Sequence, residues 1–292
     1  AWGGRATART ALSGVLAKKD STPPLTARNA SREDVTFIAE TELISRRRLF
    51  VTAARDSKIF ESELFGRRDA SMVFYRTRIL EQNGVPVGYY EYGTTTKRDK
   101  IDVNALEINA AVNWLDATSS MLVDLKSLAD AIETADGGKC EKIEFGFGSE
   151  HPAFKLFDSQ FGSEKKPYAW FVRVPDIAAL VSHISSVIEA RLAASDLHGW
   201  SGDLKISFYR SGLEMNFDAG KLTAVKNTGP IERDEAQAHY PDLTFTKALF
   251  GQYSFTQLRD MLNDCFTHKP AHQALQDILW GGQQASGVLP TN

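Results

Sequence analysis

The segment from residue 100 to residue 161 constrains the fold more than any other part of the chain. It reads as a strand over residues 101–108, a long helix, a strand over residues 142–147 and a short helix. The long helix has an apolar face and stops at Gly137–Gly138. Two strands joined through such a helix lie side by side and run parallel, with a right-handed crossover. The segment therefore predicts an α/β domain. The apolar face consists of Leu115, Leu122, Leu125, Leu128, Ala129 and Ile132.

The residues before this segment extend the same sheet. Asn83–Gly84 is a strong hairpin signal between predicted strands at 72–80 and 87–92. Ser31 followed by acidic residues indicates a helix start. These elements and a last strand at 168–174 predict a mixed-sheet α/β domain over residues 25–174, preceded by a tail or linker over residues 1–24.

The second half of the chain has a different character. A helix begins after Asp176, three short strands are expected at 204–209, 213–217 and 221–225, and residues 227–239 are expected to form a loop. Three helices then follow, at 243–250, 255–263 and 271–280. Strands followed by helices predict a compact α+β domain over residues 175–292.

Composition excludes several classes of function. The net charge of −3 argues against nucleic-acid binding, and we also expect no membrane role. Cys140 and Cys265 have neither the spacing of a metal site nor that of a redox pair, so reduced thiols and a cytoplasmic protein are expected. The start at Ala1, without an initiator Met, leads us to expect a fragment of a longer chain.

The turn at residues 109–116 opens the long helix and contains neither glycine nor arginine. A diphosphate bound at a helix start needs exposed backbone N–H groups and close backbone approach. Trp114 and Leu115 would crowd such a site, and Asp116 would add like charge or act as the N-cap. We therefore predict no diphosphate site here, the alternative being an unusual acyl-CoA site.

Other patterns are weaker. Gly146 and Gly148 indicate a strand-end turn rather than a phosphate cradle, and His268 and His272 have helical metal spacing that Pro270 should disrupt, so no metal site is predicted. The isolated histidines, among them His151, are expected to be solvated or to cap helices, and the acidic residues to lie on polar faces. Two further sets are expected to pack in cores, or alternatively to line a ligand site: Tyr89, Tyr90, Tyr92 and Phe74 on the hairpin, and Phe208, Met215, Phe217, Leu249 and Phe250 in the second half.

Three segments carry a family resemblance. They are residues 168–176 (YAWFVRVPD), residues 202–217, and residues 240–245 (YPDLTF) leading to Leu249-Phe250-Gly251. In this order they resemble GCN5-related (GNAT) acetyltransferases of the Eis-like type. The order strand, helix, strand, helix is also that of the acyl-CoA-binding half of a GNAT fold.

The resemblance implies a specific architecture. Eis-like proteins consist of two GNAT domains and a sterol-carrier-like (SCP2-like) domain, and only the first GNAT domain binds acetyl-CoA. Residues 25–174 would then be the degenerate second GNAT domain, and residues 175–292 the SCP2-like domain. The acetyl-CoA site would lie outside this chain.

The implied function is transfer of an acetyl group from acetyl-CoA to a small-molecule amine, by a protein that is expected to form a homo-oligomer. The terminal carboxylate of Asn292 is the one catalytic group that the resemblance assigns to this chain. The alternative is a non-catalytic GNAT-like and SCP2-like protein that binds an apolar ligand or a protein partner.

Overall fold

The structure is a computed structural model of the 292-residue chain. It describes residues 7–11, 23–48, 54–68, 75–94, 99–132, 139–147, 151–157, 163–165, 172–241 and 243–280. These residues form two compact units, here called the N-terminal unit (up to residue 165) and the C-terminal unit (from residue 172). In the described part of the chain, no helix is long and apolar enough to cross a membrane.

The N-terminal unit contains seven described strands and four described α-helices. The strands are β1 (Thr7–Ala11), β2 (Thr26–Asn29), β3 (Arg76–Gln82), β4 (Val85–Thr94), β5 (Lys100–Ile108), β6 (Lys142–Phe145) and β7 (Ser163–Lys165). The helices are α1 (Val35–Ser45), α2 (Ser57–Glu61), α3 (Trp114–Asp130) and α4 (Pro152–Phe157). A 3-10 turn with a capping box at Ser31 leads into α1, as its sequence predicts.

The strands form one mixed sheet in the order β2-β3-β4-β5-β6-β1-β7. β5 and β6 run parallel, with Lys100 opposite Lys142 and Val103 opposite Phe145, which confirms the predicted crossover through α3. β3 and β4 are antiparallel, and Asn83 and Gly84 between them have φ values of 54° and 78°. A two-residue hairpin turn of this kind needs a positive φ angle at both residues, and asparagine and glycine adopt that conformation most readily.

Residues 7–11 differ from expectation. They lie in the range predicted as a tail, but β1 pairs with β6 on one side and with β7 on the other. The predicted tail is therefore wrong for these five residues. The local sequence Thr-Ala-Arg-Thr-Ala has no apolar run, so partners distant in sequence determine this strand. The predicted strand at 168–174 lies largely outside the described residues, and residues 172–174 are not in a strand.

Each face of the sheet carries its own apolar core. α3 packs on one face, where Tyr90 and Leu106 are buried, and α1 lies on the other face, with Ile38 and Tyr89. Because side chains alternate along a strand, the adjacent Tyr89 and Tyr90 serve opposite cores. The expectation that the hairpin tyrosines pack in the sheet is confirmed, whereas Phe74 lies outside the described residues.

The C-terminal unit is α+β in its element order. Its helices are α5 (Ile177–His183), α6 (Ser185–Ala193), α7 (Thr244–Leu249), α8 (Phe255–Met261) and α9 (Pro270–Trp280). Its strands are β8 (Gly202–Ser207), β9 (Gly212–Asp218), β10 (Lys221–Thr228) and β11 (Ala238–His239), in the sheet order β10-β9-β8-β11.

The segment predicted as a loop at 227–239 is wrong at both ends, since β10 extends to Thr228 and β11 ends at His239. β11 is only two residues long and pairs in parallel with β8. A strand this short leaves no periodic signal, so only its tertiary pairing identifies it.

Candidate functional site

β5 and β6 part at the middle of the sheet. They are paired up to Val103 and Phe145, and the Gly146 N–H donates to the Val103 carbonyl at 2.8 Å. At that level the register between β4 and β5 shifts: Glu91 faces Ala105 while Tyr92 faces Val103. Asn104 is therefore an extra residue, and such a bulge bends the strand. Beyond it, β6 has ended and β5 continues to Ile108 without pairing to it. The space beside this unpaired stretch of β5 is here called the gap.

The side chain of His151 occupies this gap. Its Nε2 lies 3.0 Å from the Leu106 carbonyl oxygen, on the free stretch of β5. Because a carbonyl only accepts, Nε2 must carry the proton, and Nδ1 accepts from the Ala153 N–H at 3.2 Å. Burial, and then the positive charge of Arg48, lower the pKa of His151 to about 3. The imidazole is thus neutral at physiological pH with both nitrogens bonded. The expected capping role of His151 is confirmed, because the residue precedes α4 and its Nδ1 accepts from the second backbone N–H of that helix. The solvated alternative is wrong, because the residue is buried.

Aromatic rings close the space around His151. The Phe147 ring centroid lies 4.6 Å from that of His151, and the Trp114 ring meets it edge-on at 5.0 Å. On Trp114 lies the Arg48 guanidinium, 4.9 Å from the ring centroid, and the same guanidinium donates to the Glu107 carboxylate. The cluster of His151, Phe147, Trp114 and Arg48 is here called the plug. It joins the start of α3, the residues between β6 and α4, and the turn after α1, and His151 connects it to β5.

The start of α3 satisfies its own backbone. Asn113 is the N-cap: its Oδ1 accepts from the Asp116 N–H at 2.9 Å, and its side-chain amide donates to the Asp116 carboxylate at 2.7 Å. The interpretation of Asp116 as N-cap is therefore wrong. Asp116 lies in the first turn, where a carboxylate is favourable because of the helix dipole.

The residues at this helix start do not fit the diphosphate of coenzyme A. Trp114 is the first helical residue and packs in the plug, and the Asp116 carboxylate occupies the first turn, where an anion would sit. The Asp116 N–H is already bonded to Asn113. Bringing a diphosphate here would place like charges together and require Trp114 to leave its packing.

A buried ion-pair network lies on the α1 side of the sheet. The Arg55 guanidinium is 3.2 Å from carboxylate oxygens of Glu42 and Glu63, and 3.3 Å from one of Glu91. The Tyr89 hydroxyl donates to Glu42 Oε2 at 2.7 Å. The expectation that acidic residues lie on polar faces is wrong for Glu42, which lies in α1 and is buried. Sequence spacing carries no signal for this network, because its members come from three separate parts of the chain: α1, residues 55–63 and β4.

Glu107 connects the two faces. Its carboxylate accepts from Arg48, which in turn covers Trp114 in the plug. Burial raises the pKa of Glu107 to about 8 and outweighs the lowering effect of Arg48, and the nearby Glu42 carboxylate raises it further. At neutral pH, Glu107 is therefore largely protonated, which reduces the repulsion from Glu42.

The other residues singled out from the sequence lie as follows. Asn292 is outside the described residues. His272 lies in α9, His268 precedes it, and His268 Nε2 contacts the Arg233 carbonyl oxygen at 3.1 Å. Within the described ranges, no three His, Cys, Asp or Glu side chains are grouped for a metal ion. The apolar residues of the second half that were expected to pack in a core do pack in or against the core of the C-terminal unit. They are Phe208, Met215, Phe217, Leu249 and Phe250.

Three solved structures match almost the whole chain at low identity. They are a GCN5-related N-acetyltransferase from Anabaena variabilis (TM-score 0.61, 9% identity), a conserved protein from Enterococcus faecalis described as a probable N-acyltransferase (0.58, 13%) and a GCN5-related N-acetyltransferase from Kribbella flavida (0.59, 14%). Each match covers 97% of this chain and, in the same order, 66%, 66% and 64% of the other chain. No protein-family model matches the chain, and neither does any curated protein.

These similarities show the fold. The chain has the fold of GCN5-related N-acetyltransferases, and it spans slightly less than two thirds of the length of the three proteins that it matches. The SCP2-like assignment of the C-terminal unit stays a prediction.

Proposed function

We propose that this chain is the C-terminal portion of a GNAT-type N-acetyltransferase, and that its own GNAT-like unit does not bind the cofactor. The observation that carries this proposal is the gap between β5 and β6. The fold opens the gap, but His151 bonds to the free edge of β5 inside it, at the Leu106 carbonyl. A unit that kept the fold and filled the gap serves as a scaffold rather than as the seat of acetyl transfer.

The remaining elements of the proposal rest on the family resemblance. The resemblance implies four features: acetyl-CoA as the donor, an amine as the acceptor, a catalytic GNAT domain that precedes this chain, and a homo-oligomer. The length of the three matched structures is consistent with a further domain, since each has about a third that this chain does not cover. A further domain that contains a Gly-rich acyl-CoA turn would supply the cofactor site.

The coding sequence upstream of Ala1 tests the proposal directly. We expect it to encode a strand, a Gly-rich turn and a helix in one reading frame with this chain. A start codon immediately before Ala1 would contradict the proposal and favour the non-catalytic alternative.

An activity comparison supplies the second test. The chain of 292 residues and the longer gene product are each mixed with acetyl-CoA and a panel of primary amines, and release of the coenzyme A thiol is followed. The longer product should release thiol in an amine-dependent manner, and this chain alone should not. Amine-dependent release by this chain alone would refute the scaffold role.

A further inference from the structure

A cavity of about 480 Å³ lies in the C-terminal unit, at the point where β8 and β11 end. The two strands are parallel, and their last residues, Ser207 and His239, are register partners. Both residues line the cavity. The carboxyl ends of parallel strands are a preferred location for ligands, and the volume is in the usual range for a small-molecule site.

His239 presents an unused acceptor at this cavity. The residue is buried, and its ring stacks on Phe266 with 4.2 Å between ring centroids. Its Nε2 lies 3.1 Å from the Arg233 carbonyl oxygen and therefore carries the proton. Burial lowers the pKa of His239, so the ring is neutral at pH 7. The Nδ1 lone pair then has no donor among the described residues.

Tyr209 borders the cavity with a strained backbone. Its φ is 68°, a left-handed conformation that bulky L-residues rarely adopt. Two hydrogen bonds maintain it: the Tyr209 N–H donates to Ser207 Oγ at 3.2 Å, and its hydroxyl donates to the Asp264 carbonyl at 2.6 Å. Backbone strain that the surroundings maintain in this way is concentrated at binding sites.

Two opposite charges line the same cavity without pairing. The Arg233 guanidinium lies over the Phe266 ring, 5.1 Å from its centroid, and pairs with no carboxylate in the described ranges. Asp264 also lines the cavity, is exposed, and forms no ion pair within the described ranges. An arginine stacked on an aromatic ring is preorganised to bind a carboxylate, and a free carboxylate attracts an ammonium group.

We propose that this cavity binds a small zwitterion with an apolar body, of the class of free α-amino acids with aliphatic or aromatic side chains. The carboxylate of the ligand pairs with Arg233, and its ammonium group lies at Asp264 and donates to His239 Nδ1. The apolar side chain packs on Tyr209 and Ile231, which also line the cavity. This site belongs to the C-terminal unit alone and is independent of the proposed acetyltransferase role.

The test uses three compounds with the same phenyl ring. L-Phenylalanine carries both charges, 3-phenylpropanoate carries the anion only, and 2-phenylethylamine carries the cation only. Each is titrated at millimolar concentration into the isotopically labelled chain, and the amide signals of Ser207 and His239 are followed by NMR. We expect saturable shifts with L-phenylalanine, and affinities about tenfold weaker for each analogue, which is about 1.4 kcal/mol.

Two variants assign the charges. Arg233→Gln should weaken L-phenylalanine binding about tenfold and leave the affinity for 2-phenylethylamine unchanged. Asp264→Asn should also weaken L-phenylalanine binding about tenfold but leave the affinity for 3-phenylpropanoate unchanged. Arg210→Gln and Asp234→Asn are the matched controls, because these exposed neighbours do not line the cavity.

The absence of saturable shifts with L-phenylalanine would overturn the proposal. Equal affinity for all three compounds, or unchanged binding in both Arg233→Gln and Asp264→Asn, would overturn it as well. The comparison of the three compounds uses the unaltered chain, so the proposal is tested even if a variant folds poorly.

Discussion

His151→Ala removes the centre of the plug and should destabilise the N-terminal unit strongly. The substitution leaves the Leu106 carbonyl and the Ala153 N–H without their partner, at about 1–3 kcal/mol for each buried group. It also removes a buried ring between Trp114 and Phe147. Water that enters the space would restore part of the hydrogen bonding, so we expect a net loss of about 3–5 kcal/mol at pH 7. That is a large share of the stability of a typical domain.

The same substitution should change the pH dependence of stability. The folded-state pKa of His151 is lowered to about 3, below its ordinary value of 6.5, so the unfolded chain binds a proton that the folded chain excludes. The contribution is present above pH 6.5 and is lost as pH falls toward 3. Between pH 7 and pH 4, the unaltered chain should lose about 3 kcal/mol through this residue, and His151→Ala should not.

Hydrogen exchange measured by mass spectrometry is the appropriate assay, because it reports on β5 and α3 separately from the C-terminal unit. The opening free energy of peptides that cover these elements is compared in the unaltered chain, in His151→Ala and in His183→Ala. His183 is exposed and serves as the control, with an expected change within about 0.5 kcal/mol. A loss below about 1 kcal/mol in His151→Ala, together with an unaltered pH dependence, would refute the plug.

Three further substitutions test other parts of the fold. Glu107 has a pKa raised to about 8, so its contribution to the free energy of unfolding is present below pH 4.5 and is lost as pH rises toward 8. The urea midpoint of Glu107→Gln should therefore rise relative to that of the unaltered chain between pH 5 and pH 8. A difference between the two midpoints that stays constant over this range would contradict the prediction. Gly88→Ala places a Cβ 2.7 Å from the Glu107 carbonyl oxygen and 2.8 Å from a methyl carbon of Ile108, so the thermal midpoint should fall with a cost of about 1–3 kcal/mol, and an unchanged midpoint would show that this contact relaxes freely. Tyr240→Phe removes a buried hydrogen bond of 2.9 Å to Gln276 and should cost about 1 kcal/mol in urea unfolding of the C-terminal unit; a stabilised variant would argue against this bond.

The parts of the fold with local signals could be predicted from the sequence. Asn83–Gly84 determines a two-residue turn through its backbone angles, and the hairpin forms where it is expected. The apolar face of α3 and the strands on either side of it predict the parallel pair β5 and β6, because a helical crossover leaves little other choice. α3 begins at Trp114 without a glycine turn before it, and the predicted absence of a diphosphate site there stays a prediction.

The parts that depend on distant partners could not be predicted. His151 has no neighbour in sequence that indicates burial, and its bond to Leu106 spans 45 residues. A glutamate at position 107 in β5 suggests a strand face that is exposed to solvent. In the structure, α1 packs on that face, so Glu107 is buried. The bulge at Asn104 shifts the register by one residue and leaves no mark in the hydrophobic pattern. The cavity at Ser207 and His239 depends on a two-residue strand that periodicity does not detect.

Calorimetric titration of this chain with coenzyme A, repeated by NMR with the amide signals of Leu106 and Trp114 assigned, tests the central claim most directly. The account predicts no saturable heat at millimolar coenzyme A and no shift of either signal, because the space between β5 and β6 is filled by the plug. Saturable binding with shifts at Leu106 and Trp114 would contradict it, since the cofactor would then lie where His151 is placed.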